Sequence, residues 1–333
     1  MVTPSASYCQ ATVLAADIGG TSGRFALFAV GGESLAMAAR AELPSAAAGS
    51  FEALIRSGLD ALAPSARGLP APAAAVLAVA GPVKKGRSCL PPNIPYTLDL
   101  DLLPSGLLPQ ASLLVNDFTA QAHGCRHLGV EGSEEVLAGT LDIAETQAVI
   151  GPGTGLGKAA LIPDGLGGFV VGGSEGGHAA FPFNAGEERN FQDFALKATG
   201  EPFIRWETVV SGSGLALLHR WLTGEALAPA QVAASLSAKD ATTEWFARFL
   251  GRACRDYVLE VVARGGLYVS GGVAAKNPLF LSHQAFGQEF RASHTHPELM
   301  AGVGVRLVRD QNVGLWGAAA LAQRLADVGL SGC

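Results

Sequence analysis

Four stretches of this sequence hold residue types that can do chemistry: Asp17-Ile-Gly-Gly-Thr21, Asn116-Asp117, Gly151-Pro-Gly-Thr-Gly155 and Glu175-Gly-Gly-His178. The first lies between two apolar runs, Thr12 to Ala16 and Phe25 to Val30, so it reads as a hairpin whose turn carries Gly19, Gly20 and Gly23. Glycine at a turn permits positive φ and lets backbone N–H groups face a ligand with no Cβ in the way. Successive exposed N–H groups make a concave nest for phosphate oxygens. Thr21 adds a hydroxyl, and Asp17 can face a magnesium ion through water. A ligand-free tight turn would use the same residues. The phosphate reading gains from a second copy: the apolar run Gln147 to Ile150, then Gly151-Pro-Gly-Thr-Gly-Leu-Gly157, then Ala159 to Ile162. In that copy Gly151, Gly153, Thr154 and Gly155 take the turn. Two such turns suggest two related half-domains closing on one polyphosphate. Neither has the Gly-Lys-Ser/Thr of a P-loop or the acidic residue of a dinucleotide fingerprint.

Asp117 follows the apolar strand Ser112 to Val115. A carboxylate at a strand end, partly desolvated, becomes a better proton acceptor, as a base for a hydroxyl must be. The same place suits an N-cap for a helix beginning near Phe118 or Thr119, and spacing alone does not choose. Glu175 and His178 stand three apart on a glycine-rich loop, so both can point the same way. Gly271 and Gly272 behind the strand Gly266 to Val269 are either a plain turn or a surface against which adenine lies. Lys158, just after the second turn, reads as a phosphate sensor or a surface lysine.

The elements that must position these groups alternate in an α/β pattern. Helical spacing covers Gly49 to Leu62, strands are expected at Val76 to Val79 and Ser112 to Val115, and Thr119 to Leu128 is helical. Pro91, Pro92 and Pro95 hold Asn93 on a stiff loop. Asp17, Asn93, Asn116 and Asp117 all fall at or just past strand ends, where open α/β sheets form their sites. Further on, Glu187 to Lys197 and Ser235 to Arg264 read as helical, Val303 to Val308 as a strand and Gly314 to Val328 as the last helix. The length of 333 residues allows two domains, and 49% hydrophobic against 16% charged residues argues for compact folding. A net charge of −6 offers no footprint for nucleic acid or an anionic membrane. Cys9, Cys89, Cys125, Cys254 and Cys333 are scattered and odd in number, which fits reduced thiols in a cytoplasmic protein. Residues 1 to 10 lack the basic start and apolar core of a signal peptide.

Asp17-Ile-Gly-Gly-Thr with Arg24, and Gly151-Pro-Gly-Thr-Gly-Leu-Gly157, resemble the two phosphate motifs of the actin, Hsp70 and sugar-kinase superfamily, most closely bacterial ATP-dependent glucokinases. The resemblance spans nearly the whole chain. It implies a two-domain actin-like (ribonuclease H-like) α/β fold with an interdomain cleft, residues 1–128 plus 311–333 forming the small domain and 129–310 the large one. It implies ATP with Mg2+ as phosphoryl donor, D-glucose as acceptor and a homodimer. Asp117 then becomes the base, and Asn116, Glu175, His178 and Glu207 the sugar contacts, with Asn93 a weaker one. For Glu207 the alternative is a solvated carboxylate beside Arg205; for His178, a structural histidine bonded to a carbonyl or a zinc ligand. A zinc motif that follows this histidine in related kinases is absent, so no structural metal is expected. Other hexoses (mannose, fructose or an amino sugar) are alternative substrates. A sugar-responsive regulator is disfavoured, because no basic cluster precedes the first strand.

Overall fold

The structure, a computed structural model, describes residues 11–32 and 34–330, so Cys9 and Cys333 lie outside the described residues. The chain divides into two compact units, one holding residues up to Leu128 together with Asn312 onward, the other Gly129–Gln311.

The first unit contains β1 (Ala11–Ile18), β2 (Ser22–Gly31), β3 (Ser34–Pro44), β4 (Pro72–Val79), the small pair β5 (Ser88–Cys89) and β6 (Leu98–Asp99), and β7 (Ala111–Asn116). Its main sheet runs β3-β2-β1-β4-β7. The first three strands are antiparallel, and β4 and β7 run parallel to β1. Strand period two divides β1 between two cores. Leu14, Ala16 and Ile18 pack with Phe51, Leu54 and Ile55 of helix Phe51–Leu62, while Val13 and Ala15 pack with Leu315, Ala318 and Ala319 of helix Val313–Leu330. Burial on both faces explains why β1 reads as an unbroken apolar run. Helix Phe51–Leu62 starts where the Ser50 side chain accepts from the Ala53 N–H.

The second unit adds β8 (Glu134–Leu137), β9 (Gln147–Pro152), β10 (Leu156–Pro163), β11 (Phe169–Ser174), β12 (Leu267–Val269) and β13 (Val305–Leu307), in the order β11-β10-β9-β12-β13-β8. Its first five strands repeat the order and directions of the first unit, and β8 is an extra antiparallel edge. The architecture is α/β, with the same sheet built twice.

Several boundaries differ from the sequence reading. The helix expected over 235–264 is Ala241–Val261, because Ser237 donates through both N–H and Oγ to Asp240 Oδ2 and closes a local turn before it. Gly172 and Gly173, which lead into the glycine-rich loop of Glu175 and His178, are strand residues paired with Ala160 and Ala159. Backbone pairing needs no side chain, so composition hides such a strand.

Helices Asp117–Leu128 and Val313–Leu330 meet through small residues. A Cβ at Gly317 would collide with the carbonyl oxygen of Ala120. Gly317→Ala must therefore push the two helices apart, at a cost of about 1–3 kcal/mol. The expected outcome is a melting temperature lower by several degrees; an unchanged transition would show that the helices do not pack this closely. Within the same pair, burial first, and then Arg324 and Arg126, push the pKa of His123 down to about 4. The unfolded chain binds a proton near pH 6.5 that the native chain refuses until about pH 4. Stability should thus fall as pH drops through that window, by up to about 3 kcal/mol from this residue. Denaturant titrations at pH 7 and pH 4.5 check it: His123→Gln should flatten the dependence, and an unchanged slope would remove His123 as its source.

Candidate active site

The two glycine turns share one hydrogen-bond plan. In the first, the Gly19 N–H donates to the Ser22 carbonyl and the Gly19 carbonyl accepts from Ser45 Oγ. In the second, the Gly153 N–H donates to the Gly155 carbonyl and the Gly153 carbonyl accepts from the Gly212 N–H. The next two N–H groups of each turn, on Gly20 and Thr21 and on Thr154 and Gly155, make no hydrogen bond among the described residues. Thr21 and Thr154 are exposed. Each turn therefore presents consecutive unpaired donors, the electrostatics of an anion nest.

Neither turn has room for a Cβ at its middle. One built on Gly20 would stand 2.5 Å from Asn93 Cβ, and one on Gly155 2.6 Å from Glu207 Oε2. Ser45 braces the first turn a second time by donating its N–H to the Thr21 carbonyl, and its own carbonyl accepts from the Tyr96 hydroxyl at 2.5 Å. In the hairpin register Asp17 lies opposite Arg24, with Arg24 Nη1 3.5 Å from Asp17 Oδ2. Burial raises the pKa of the Asp17 carboxyl, Arg24 pulls it back and Glu42 adds to the rise.

At the end of β7 the capping role falls to Asn116. Its Oδ1 accepts from the N–H groups of Phe118 and Thr119, at 2.9 and 3.3 Å, and its Nδ2 donates to the Gly81 carbonyl at 3.1 Å. Asp117 is the first residue of the helix, half-buried, with Oδ1 2.9 Å from the Phe118 N–H. Asn93 is exposed on its proline loop, against the first turn.

In the second unit Glu175, His178 and Glu207 come together around Arg205. Glu175 Oε2 lies 3.5 Å from His178 Nε2, and Glu207 Oε1 lies 3.3 Å from His178 Nδ1. Arg205 Nη1 donates to Glu207 Oε1 and stands 3.2 Å from His178 Nδ1. Its Nη2 and Nε meet the two oxygens of Glu201 at 2.7 and 3.4 Å. This pairing holds the Glu201 carboxyl below its ordinary pKa, with help from Thr208 Oγ1 at 2.9 Å. Among the described residues the His178 imidazole meets side chains and no carbonyl, and Glu207, with its side chain 20% exposed, is not a solvated carboxylate. A cavity of about 590 Å³ opens beside the group, lined among others by Thr154, Glu201, Arg205, Glu207, Ser213 and Leu217.

Two expectations need correction. Lys158 is neither a phosphate sensor nor a surface residue: it is 1% exposed, with Nζ 5.2 Å from the ring centres of both Trp206 and Tyr257. The strand is covered on both faces here, with Ala159, Ala160 and Leu161 buried as well, so Lys158 has no open side to take. Gly271 and Gly272 are not a plain turn: Gly271, at φ +88°, caps the short helix Gly272–Lys276 and lies against Gly151 and Pro152. Sequence reading missed Ser45, Tyr96, Glu201 and Arg205. Only Arg205, beside Glu207, left a trace. Among the described residues, no helix is long and apolar enough to cross a membrane, and no three His, Cys, Asp or Glu side chains gather as for a metal ion.

Comparison with known proteins agrees with this geometry. The family model for glucokinase matches residues 14–325. The glucokinase of Rhizobium leguminosarum is 30% identical, over 96% of this chain and 94% of its own. The crystal structure of a glucokinase from an Antarctic psychrotroph superposes with a TM-score of 0.79 at 29% identity, covering 94% of this chain and 99% of that one. A ROK family glucokinase from Streptomyces griseus, solved with glucose and AMPPNP, shares the fold with a TM-score of 0.66 at 20% identity, over 94% of this chain and 99% of its own. This chain belongs to the glucokinase family of ATP-dependent hexose kinases.

Proposed function

We propose that the residues described above carry out transfer of the ATP γ-phosphoryl group to the 6-hydroxyl of D-glucose, each in a defined role. The observation that supports this most is the repeated turn with its unpaired N–H groups, two on each copy. Phosphoryl transfer asks for alignment and charge neutralisation more than for covalent chemistry. Gly20, Thr21, Thr154 and Gly155 supply backbone donors to the phosphates, Gly19, Gly151 and Gly153 keep the turns bare, and Gly271 with Gly272 receives the adenine. Asp117 accepts the proton of the 6-hydroxyl as its oxygen attacks the γ-phosphorus, ADP leaves, and the proton passes on to solvent. Asn116, Glu175, His178 and Glu207 read the ring hydroxyls, with Asn93 assisting. The N-cap held by Asn116 supports the base assignment, because Asn116 rather than Asp117 reaches the Thr119 amide. Asp17 would face Mg2+ carried with ATP, through water, and the ion would neutralise phosphate charge; the pairing of Asp17 with Arg24 suits contact through water better than direct ligation. In this reading, residues 1–128 with 311–333 are the small domain and 129–310 the large one. Cys89, Cys125 and Cys254, buried and not joined in disulfides, support a cytoplasmic location, and a homodimer is proposed from the family resemblance alone.

Asp117→Asn should lower kcat by a factor of about 10²–10⁴ while leaving the KM for glucose within a few-fold. Near-normal turnover would remove Asp117 from the role of base. A panel of hexoses assayed for ADP release with ATP and Mg2+ should show glucose with the highest kcat/KM. A better mannose, fructose or amino-sugar substrate would reassign the acceptor.

A further inference from the structure

We infer that Arg205 is a positioning residue that fixes both the orientation of Glu207 and the tautomer of His178, with Glu201 as its anchor. The inference rests on the assignment of Glu207 and His178 to the sugar site. A guanidinium only donates and its fork is planar and rigid. Glu201 takes the Nε and Nη2 edge at 3.4 and 2.7 Å, and Thr208 Oγ1 ties Glu201 in turn at 2.9 Å. With that edge fixed, Nη1 is aimed, and its two hydrogens serve Glu207 Oε1 and His178 Nδ1.

Chemical consequences follow for both partners. A nitrogen that accepts from Arg205 holds no hydrogen, so neutral His178 keeps its proton on Nε2. The 3.3 Å approach of Nδ1 to Glu207 Oε1 is then two acceptors sharing one donor, not a bond between them. His178 Nε2–H is left facing Glu175 Oε2 at 3.5 Å, a long contact that a hydroxyl can exchange for a shorter one. Glu207, held at Oε1, rests Oε2 against Gly155 of the second turn. The loop with His178 and the turn with Gly155 are thereby joined through one carboxylate that Arg205 keeps in place. A donor flanked by carboxylates suits adjacent ring hydroxyls, each of which donates once and accepts once.

Arg205→Met should raise the KM for glucose about tenfold or more, leave the KM for ATP unchanged and keep kcat within about threefold. Arg205→Lys keeps the charge but not the fork, and should recover less than half of the lost affinity. Glu201→Gln retains the arginine while weakening its anchor, and should shift the KM for glucose in the same direction by less, which keeps the test open if the methionine variant folds poorly. Histidine 15N spectra give a readout that simple destabilisation does not move: His178 should be the Nε2–H tautomer in the unaltered protein and a mixture in Arg205→Met. Glu207→Gln separates the two layers of the argument. If it leaves the KM for glucose unchanged, the site assignment fails. If it raises that KM while Arg205→Met does not, or if the tautomer stays fixed without Arg205, the positioning role fails alone.

Discussion

Two short pieces of backbone must stay bare, and most of what surrounds them follows from that. A turn that leaves consecutive N–H groups without partners bears a cost that helix and sheet avoid, since nearly all backbone donors away from water are paired. Here the cost is confined to two residues per turn, because the first glycine of each is fully satisfied: it donates within its own turn and accepts from outside. The outside donor differs, a serine side chain in one unit and the N-terminal amide of a helix in the other. Unlike local solutions to one geometric demand point to the turn itself as the feature being held. The neighbours agree, since both turns have a polar side chain, Asn93 or Glu207, resting where a Cβ would be.

The doubled sheet explains why the turns match. Both join the first two antiparallel strands of a sheet ordered 3-2-1-4-5, whose fourth and fifth strands run parallel to the first. The halves then diverge at equivalent register positions. Where the first hairpin sets Asp17 against Arg24, the second sets Gly151 against Gly157. One half keeps a charge pair beside its turn. The other keeps space, which Gly271 fills by packing on Gly151. A duplication that preserves the backbone while exchanging charge for space assigns the halves different duties around a shared geometry.

What could be read from the sequence was what is local. Glycine spacing gave both turns, where Gly20 and Gly155 leave no room for a Cβ, and apolar runs gave β1, β7 and β9, whose central residues are buried. Asp117 was visible as an acid at a strand end, whereas the choice between cap and base was not. The cap itself depends on which of two neighbouring side chains reaches the Thr119 amide, and Asn116 does. Ser45 and Tyr96 were invisible for another reason: Ser45 stands 26 residues from Gly19 and 51 from Tyr96, and nothing in its own surroundings marks it. The cluster around Arg205 was half legible: Glu175, His178 and Glu207 were in view, whereas Glu201 and the part Arg205 plays among them were not. β11 was lost because its glycines look like loop until a partner strand is supplied.

Lys158 shows how far partners, rather than burial, decide the fate of a charge in this protein. Arg252 and Lys158 are both about 1% exposed. Arg252 is met by Glu188 through two bonds of 2.7 and 2.8 Å and by Glu289 at 2.8 Å, and its pKa is raised despite burial. Lys158 has two aromatic faces and the exposed Glu260 at 3.9 Å, and its pKa is lowered, with burial the larger effect. Ring quadrupoles return only part of the hydration a cation loses, while a carboxylate that accepts two bonds returns far more. Arg252 therefore behaves as a fixed tie within the second unit. Burial instead works against the charge of Lys158, which sits against Trp206, next to Glu207, and below Gly176, between Glu175 and His178. The segments that carry Glu175, His178 and Glu207 thus rest on a cation held by two aromatic faces and one distant carboxylate, where Arg252 has paired carboxylates.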